Sequence, residues 1–493
     1  MSKHVLITGA GLGALATALR LSTDGYTVEL LEKNKQAGGR LNRLQKDGFT
    51  FDMGPTFFSM SYEFKEFIEY CNMEMPFRFI ELDPLYVVNF SGSSRKYTIY
   101  KDLKKLAAEF EGIEPDFERK VERYLKKAGA IFHDTEYTMV KRNFRNIREF
   151  AGVVRDVPLK HSPMIFRSMW SELSRHFDSY EARVIFSLVA FFLGDTPFAT
   201  PAVYSLLNYT EMKHDGYYNV EGGMYKIVEG LLKEMEKRGI RIHYETEVQA
   251  YSEKDGKLDA LIDQHGKHWK ADLFVINSDA AWFRGKVFRR PGFSEEKLDK
   301  RKWTIAPFTM YLGLDTKVPG IEHHNYFLGR NFEQYAGKVL KHFDINERPY
   351  YYVNVPSKHN PDTAPPGKEA IFILFPVTDR RFKPDWSDRE EIADRLLQDL
   401  SERIAFDIRP HIISSTILDP SDWEKMFNLY RGSGLGLAHN LGQIGYFRPK
   451  NKDEKFNNVY YVGASTVPGT GLPMMMVGSR LVTQRINDEH RTV

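Results

Sequence analysis

Residues 4–32 read HVLITGAGLGALATALRLSTDGYTVELLE, and the order of residue types in this stretch decides the fold. His4–Thr8 is a short apolar run of strand type, Leu12–Ser22 carries apolar residues at helical spacing, and Thr27–Leu31, after Gly25, is a second strand-like run. Strand, helix and strand at this spacing predict a βαβ unit with parallel strands. Gly9-Ala10-Gly11-Leu12-Gly13-Ala14 falls at the turn from the first strand into the helix. There Gly9 permits a tight turn, Gly11 lets backbone approach a pyrophosphate, and Ala14 allows close helix–sheet packing, with Gly13 in the same turn. The helix amino terminus offers unpaired N–H groups and partial positive charge to an anion. Glu32, ending the second strand, is placed to accept hydrogen bonds from adenosine ribose hydroxyls.

This much predicts a dinucleotide and leaves NAD and FAD both open. Gly38-Gly39-Arg40, followed by Asp52-Met53-Gly54-Pro55-Thr56, favours FAD. The paired glycines bring a second stretch of backbone to the pyrophosphate, and Arg40 offers donors to a phosphate or a flavin carbonyl. A nicotinamide site has no need of this second loop. Near the other end, residues 463–473 (GASTVPGTGLP) read as a strand running into a glycine-rich loop and then a helix with proline at its start. A helix amino terminus aimed at the N1/C2=O edge of a flavin would stabilise the negative charge that appears there on reduction. Gly463 and Gly471 are therefore expected at the flavin end of the site.

Two further strand-like runs, Leu273–Asn277 and Val459–Gly463, lie far along the chain. A parallel sheet built from all four runs makes the nucleotide domain discontinuous: 1–83, 211–300 and 430–493. Residues 84–210, rich in aromatics and broken at Pro158, Pro163, Pro197 and Pro201, are expected to form a mainly helical lid. Residues 301–429 are expected to form a substrate domain with an antiparallel sheet.

The bulk composition narrows the partners. With 69 basic and 66 acidic residues the net charge is +3, too even for a nucleic-acid binder. A lone cysteine, Cys71, excludes an intramolecular disulfide and a cysteine metal cluster, and no metal site is expected. The apolar run Val184–Gly194 is shorter than the ~20 residues of a spanning helix. The strand at His4 leaves no room for a signal peptide, so a cytoplasmic protein is expected.

Glu32-Lys33, Gly38-Gly39-Arg40, Asp52-x-Gly54-Pro55-Thr56, Thr196-Pro197-Phe198-Ala199-Thr200-Pro201, Glu221-Gly222-Gly223-Met224, Tyr244-Glu245-Thr246-Glu247-Val248, Asn277-Ser278-Asp279-Ala280 and Pro468-Gly469-x-Gly471-x-Pro473 together resemble the bacterial-type phytoene desaturase family of carotenoid desaturases. The motifs span nearly the whole chain. The resemblance implies an α/β fold: a glutathione-reductase-type Rossmann FAD domain, a mixed-sheet substrate domain and a helical, membrane-facing lid. It adds Lys33, Val248 (through its backbone, at the adenine end), Leu472 and Met475 to the expected cofactor contacts. It also implies a long apolar polyene as substrate, a membrane surface from which it is drawn, and an electron acceptor such as oxygen or quinone. The chain departs from the family pattern at Ala14, where glycine is common, and at Ser465 and Val467 in the terminal motif.

Desaturating an allylic C–C bond needs a hydride acceptor, which FAD supplies, and loss of a proton. The expected reaction is phytoene desaturation or 3,4-desaturation of a later acyclic-end carotenoid. A non-covalent FAD amine oxidase and a non-redox carotenoid isomerase are the alternatives. No catalytic base is assigned: Asn146 cannot act as one, and His176, Asp178 and Glu211 compete. Phe191, Phe192, Phe198 and Tyr204 are expected tunnel walls. Lys141, Arg142, Arg145, Arg148, Arg155 and Lys160, next to Met164-Ile165-Phe166, Met169 and Trp170, are the expected membrane contact.

Overall fold

The computed structural model describes residues 2–144, 146–329, 331–344 and 349–490. Its nucleotide layer is a five-stranded parallel sheet in the order Val459–Tyr461, Leu273–Ile276, His4–Thr8, Thr27–Leu31, Arg241–His243. All four strands expected from the sequence join it, with Val5 opposite Val28 on one side and Leu273 on the other. Arg241–His243 is a fifth, pairing with Glu29–Leu31.

Both faces of this sheet are covered, which is why its strands read as continuous apolar runs. On one face Leu15 and Leu19 of helix Leu12–Thr23 pack with Ile227 and Leu231 of helix Lys226–Lys237 and with Met476 and Val482 of helix Leu472–His490. On the other, Leu6, Leu31 and Phe274 pack on Val248, Leu258 and Leu261 of a small antiparallel sheet (Val248–Lys254, Lys257–Asp263, His268–Lys270).

The second large sheet has seven strands in the order Ile412–Leu418, Ala306–Leu314, Glu369–Val377, Tyr351–Asn354, His324–Leu328, Tyr86–Phe90, Lys96–Ile99. Its neighbours are antiparallel except His324–Leu328 beside Tyr86–Phe90. The sheet is therefore mixed, and it draws two strands from the segment 84–210 that was expected to be lid. Alternation sorts its side chains: Phe308, Met310 and Leu312 pack on Ile392, Leu396 and Leu400 of helix Arg389–Ile404, while Tyr311, Tyr326 and Tyr352 face the helices of residues 103–209. Those helices include Phe117–Thr135, Ile147–Asp156 and Tyr180–Ser187. No helix among the described residues is long and apolar enough to cross a membrane.

Candidate active site

A cavity of about 940 Å³ runs between the parallel sheet, the mixed sheet and the helices. Gly9, Gly11 and Gly13 line it at the first turn, Glu32, Lys33 and Val248 where the second strand ends, and Gly39, Arg40, Gly54, Pro55 and Thr56 beside them. Gly463, Gly471, Leu472 and Met475 line it from the carboxy-terminal loop and helix. Of the expected contacts Ala14 alone is absent from the wall. It is fully buried between helix and sheet, the packing role its small side chain allows.

The glycines are there because backbone passes against backbone. Gly38 donates to the carbonyl of Ala10 at 2.8 Å and bridges to Gly11, so the second glycine loop lies on the first. A Cβ on Gly39 would stand 3.2 Å from Cα of Gly11, one on Gly11 2.7 Å from Oδ1 of Asn277, and one on Gly54 2.2 Å from the Arg40 carbonyl. Gly11 also begins helix Leu12–Thr23 with no side chain capping it. Its first N–H groups are thus left to the cavity, as an anion site requires. A cradle that side chains would fill, facing an uncapped helix end, fits the pyrophosphate of FAD.

Glu32 accepts from the backbone N–H of Ala10 at 2.7 Å and of Asn34 at 2.8 Å. Burial pushes its carboxyl above the usual range, and these two N–H groups pull the other way. Lys33 donates to the Lys425 carbonyl at 2.9 Å and to Asn428 at 2.8 Å, closing the wall at this end. Arg40 donates to the Gly434 carbonyl at 2.7 Å; burial lowers its pKa and the neighbouring Asp279 raises it. Asp279 in turn accepts from Ala281 and Trp282 at the start of a short helix.

Three supports escaped the sequence reading. Asp52 accepts from the N–H groups of Met224 and Tyr225, tying the Gly54 loop to the Glu221–Met224 turn, and its burial raises the carboxyl to about 6. Asn277 donates to the Val462 carbonyl at 2.8 Å, joining the first turn to the last strand. Arg448, 1% exposed, donates to the carbonyls of Leu437, Ala438, Gln443, Ala464 and Thr466, and so holds the loop after Gly463 in place. Asp52 and Asn277 lay inside motifs already quoted, but nothing local distinguishes Arg448 from a surface arginine.

Beyond the cofactor loops the walls turn apolar. Phe191, Phe192 and Tyr204 line the cavity as expected. Phe198 does not: it packs behind the wall against Trp170 and Phe332, ring centroids 5.0 and 6.2 Å away. The competing bases separate just as clearly. Asn146 caps helix Ile147–Asp156. His176 is bound to Glu172 at 3.1 Å, and Asp178 is exposed and ion-paired with Lys120. Glu211 lines the cavity.

Val154, Phe166, Leu441 and Phe447 are at once exposed and part of the cavity wall, which marks the mouth. Of the basic stretch, Arg142, Arg148, Arg155 and Lys160 are exposed nearby. Lys141 is buried against Glu63 and Glu136 and faces no solvent, because two carboxylates from other turns enclose it. Met164 and Met169 are core residues rather than surface ones, and Arg145 lies outside the described residues.

The profile of the flavin containing amine oxidoreductase family matches residues 14–485. A zeta-carotene-forming phytoene desaturase of Myxococcus xanthus is 32% identical over 98% of this chain and 94% of its own. A carotenoid 3,4-desaturase of Haloarcula japonica is 28% identical over 99% and 98%. Among solved structures, an oxidoreductase from Methanosarcina mazei superposes with a TM-score of 0.66 at 17% identity, covering 98% of this chain and 100% of that one. Putrescine oxidase bound to putrescine gives 0.65 at 12%, with 99% of each chain covered. At these identities the structural likeness concerns the mixed α/β fold alone.

Proposed function

Because this chain belongs to the flavin containing amine oxidoreductase family, and within it to the carotenoid desaturases, we propose that it uses FAD to desaturate an allylic C–C bond of a long acyclic carotenoid end. The observation that carries this reading is one continuous cavity, with glycine loops and a helix end at one side and aromatic walls leading to an apolar mouth at the other. FAD, when bound, accepts the hydride. The residues do the rest. Gly9, Gly11, Gly39 and Gly54 would admit the cofactor, and Glu32 and Val248 would hold its adenosine half. Arg40 would donate to a phosphate or a flavin carbonyl, and Leu472 and Met475 would line the flavin end. Phe191, Phe192 and Tyr204 hold the polyene by apolar contact and keep water out. An acceptor such as oxygen or a quinone would take up the electrons.

The same reading makes the helices of residues 103–209 a lid that meets a membrane. Phe166 and Phe447 are exposed at the mouth, with Arg148, Arg155 and Lys160 around them, a combination that suits an anionic bilayer from which an insoluble polyene can enter directly. The test is pigment chemistry in bacterial cells that accumulate phytoene, lycopene, γ-carotene or a 1-hydroxylated carotenoid. Colour arising from phytoene assigns the early desaturation, and a red shift confined to the later carotenoids assigns the 3,4-desaturation. No shift in any strain, with FAD-loaded protein present, overturns the proposal.

A further inference from the structure

Glu211 is the one of the three competing bases that reaches the cavity, and its surroundings are unusual for a carboxyl group. It sits on a single π-helical turn, Thr210–His214, is 3% exposed, and its Oε2 atom has no hydrogen-bond partner among the described residues. The Tyr217 hydroxyl is near enough to favour the carboxylate, yet it too lacks a partner of good geometry. The other titratable groups that sense Glu211 are phenols, Tyr86, Tyr124 and Tyr326. No cation among the described residues acts on it, and Lys213 and His214 on the same turn are exposed. The Tyr217 ring packs 4.6 Å from Phe57, which directly follows Thr56 of the cofactor-side loop. The carboxyl is thus linked to that loop through two packed aromatic rings, Tyr217 and Phe57.

An unpartnered buried carboxyl costs stability, so its presence in a wall otherwise built for a hydrocarbon asks for a use. A hydrocarbon offers this oxygen neither a donor nor an acceptor. What it can exchange is a proton. We propose that Glu211 is the proton acceptor of the desaturation. As a hydride leaves one carbon for the flavin, the Glu211 carboxylate takes a proton from the adjacent carbon. The C–H electron pair left behind becomes the new C=C bond, and Glu211 ends as the neutral acid. The inference rests on the desaturase reading. Burial raises the Glu211 carboxyl to about 8, which makes it a far stronger base than an exposed glutamate while leaving a working fraction ionised near neutrality.

The experiment is anaerobic flavin bleaching of the holoenzyme by its polyene, followed across pH in wild type, Glu211→Gln and Glu211→Asp. Carotenoid binding is read separately from the perturbed pigment spectrum. The carboxylic-acid infrared band of the flavin-free protein gives a further readout. Wild type should show a rate that rises through about pH 8, and an infrared band lost over the same interval. Glu211→Gln should bind pigment and FAD normally, lack the band, and bleach on the order of 10²–10⁴-fold more slowly without that rise. Glu211→Asp, which keeps the charge on a shorter arm, should be slower than wild type yet retain the rise. Bleaching of Glu211→Gln within threefold of wild type overturns the inference and leaves the desaturase reading intact. Wild type that no polyene bleaches overturns both.

Discussion

Replacing Arg448 by methionine keeps the unbranched apolar stem on a shorter side chain and removes every donor. Four of its five hydrogen bonds are 3.1 Å or shorter, to Thr466, Gln443, Leu437 and Ala464. At the low end for charged donors, about 1.5 kcal/mol each, they contribute about 6 kcal/mol. Against this stands the cost of keeping a cation in a dry site with no carboxylate beside it: burial brings its pKa down to about 10, roughly 3 kcal/mol at 1.36 kcal/mol per unit. The net loss in Arg448→Met is then about 3 kcal/mol. At roughly 2.1 cal/mol/K per residue, a cooperative unit of the whole 493-residue chain has an unfolding entropy near 1 kcal/mol/K, so Tm falls by about 3 °C. The bonds to Ala464 and Thr466 secure the cavity-lining loop proposed to hold the flavin, so FAD retention should fall as well. Calorimetry of the flavin-free protein and flavin absorbance per protein after gel filtration measure the two effects. An unchanged Tm together with full FAD content would refute the reasoning, because it would mean that the freed carbonyls find water and the loop needs no anchor.

Other expectations follow from the same geometry. Gly54→Ala puts a Cβ 2.2 Å from the Arg40 carbonyl and forces the two cofactor loops apart; FAD affinity measured by titration should drop at least about tenfold, with circular dichroism unchanged. Asp52 has a folded pKa of about 6, above its unfolded value of about 3.8, so the stability it contributes is present at acid pH and lost as pH rises through 6. Compared with Asp52→Asn, wild type should therefore lose up to about 3 kcal/mol between pH 4 and 7 in denaturant melts, and parallel curves would contradict this. Phe166→Ser with Phe447→Ser removes two exposed rings from the mouth, and co-sedimentation with anionic vesicles should weaken by roughly tenfold per ring while FAD content stays the same.

What could be read from the sequence, and what could not, divides along the range of the interactions. The glycine turn at Gly9–Gly13, the strands at His4–Thr8 and Thr27–Leu31 and the loop at Gly463–Gly471 are specified by neighbours within a few residues, so composition and spacing carry them. Arg241–His243 is only three residues long and none of them is fully buried, so no apolar run announces it. Tyr86–Phe90 falls in the segment expected as lid because its sheet partner, His324–Leu328, lies hundreds of residues on, and the pairing rather than the local pattern makes it a strand. The same divide governs the chemistry. Gly11 and Glu32 stand where local structure puts them, whereas the difference between Glu211 and Asp178 is whether other elements exclude water: Asp178 lies at the surface, ion-paired with Lys120, and Glu211 is enclosed by Tyr217, Tyr86 and Tyr326. Two carboxylates of similar intrinsic acidity are thus made chemically different by tertiary packing alone. This is why a motif search finds the cofactor loops, while the residue proposed to take the proton comes into view only when the cavity is closed around it.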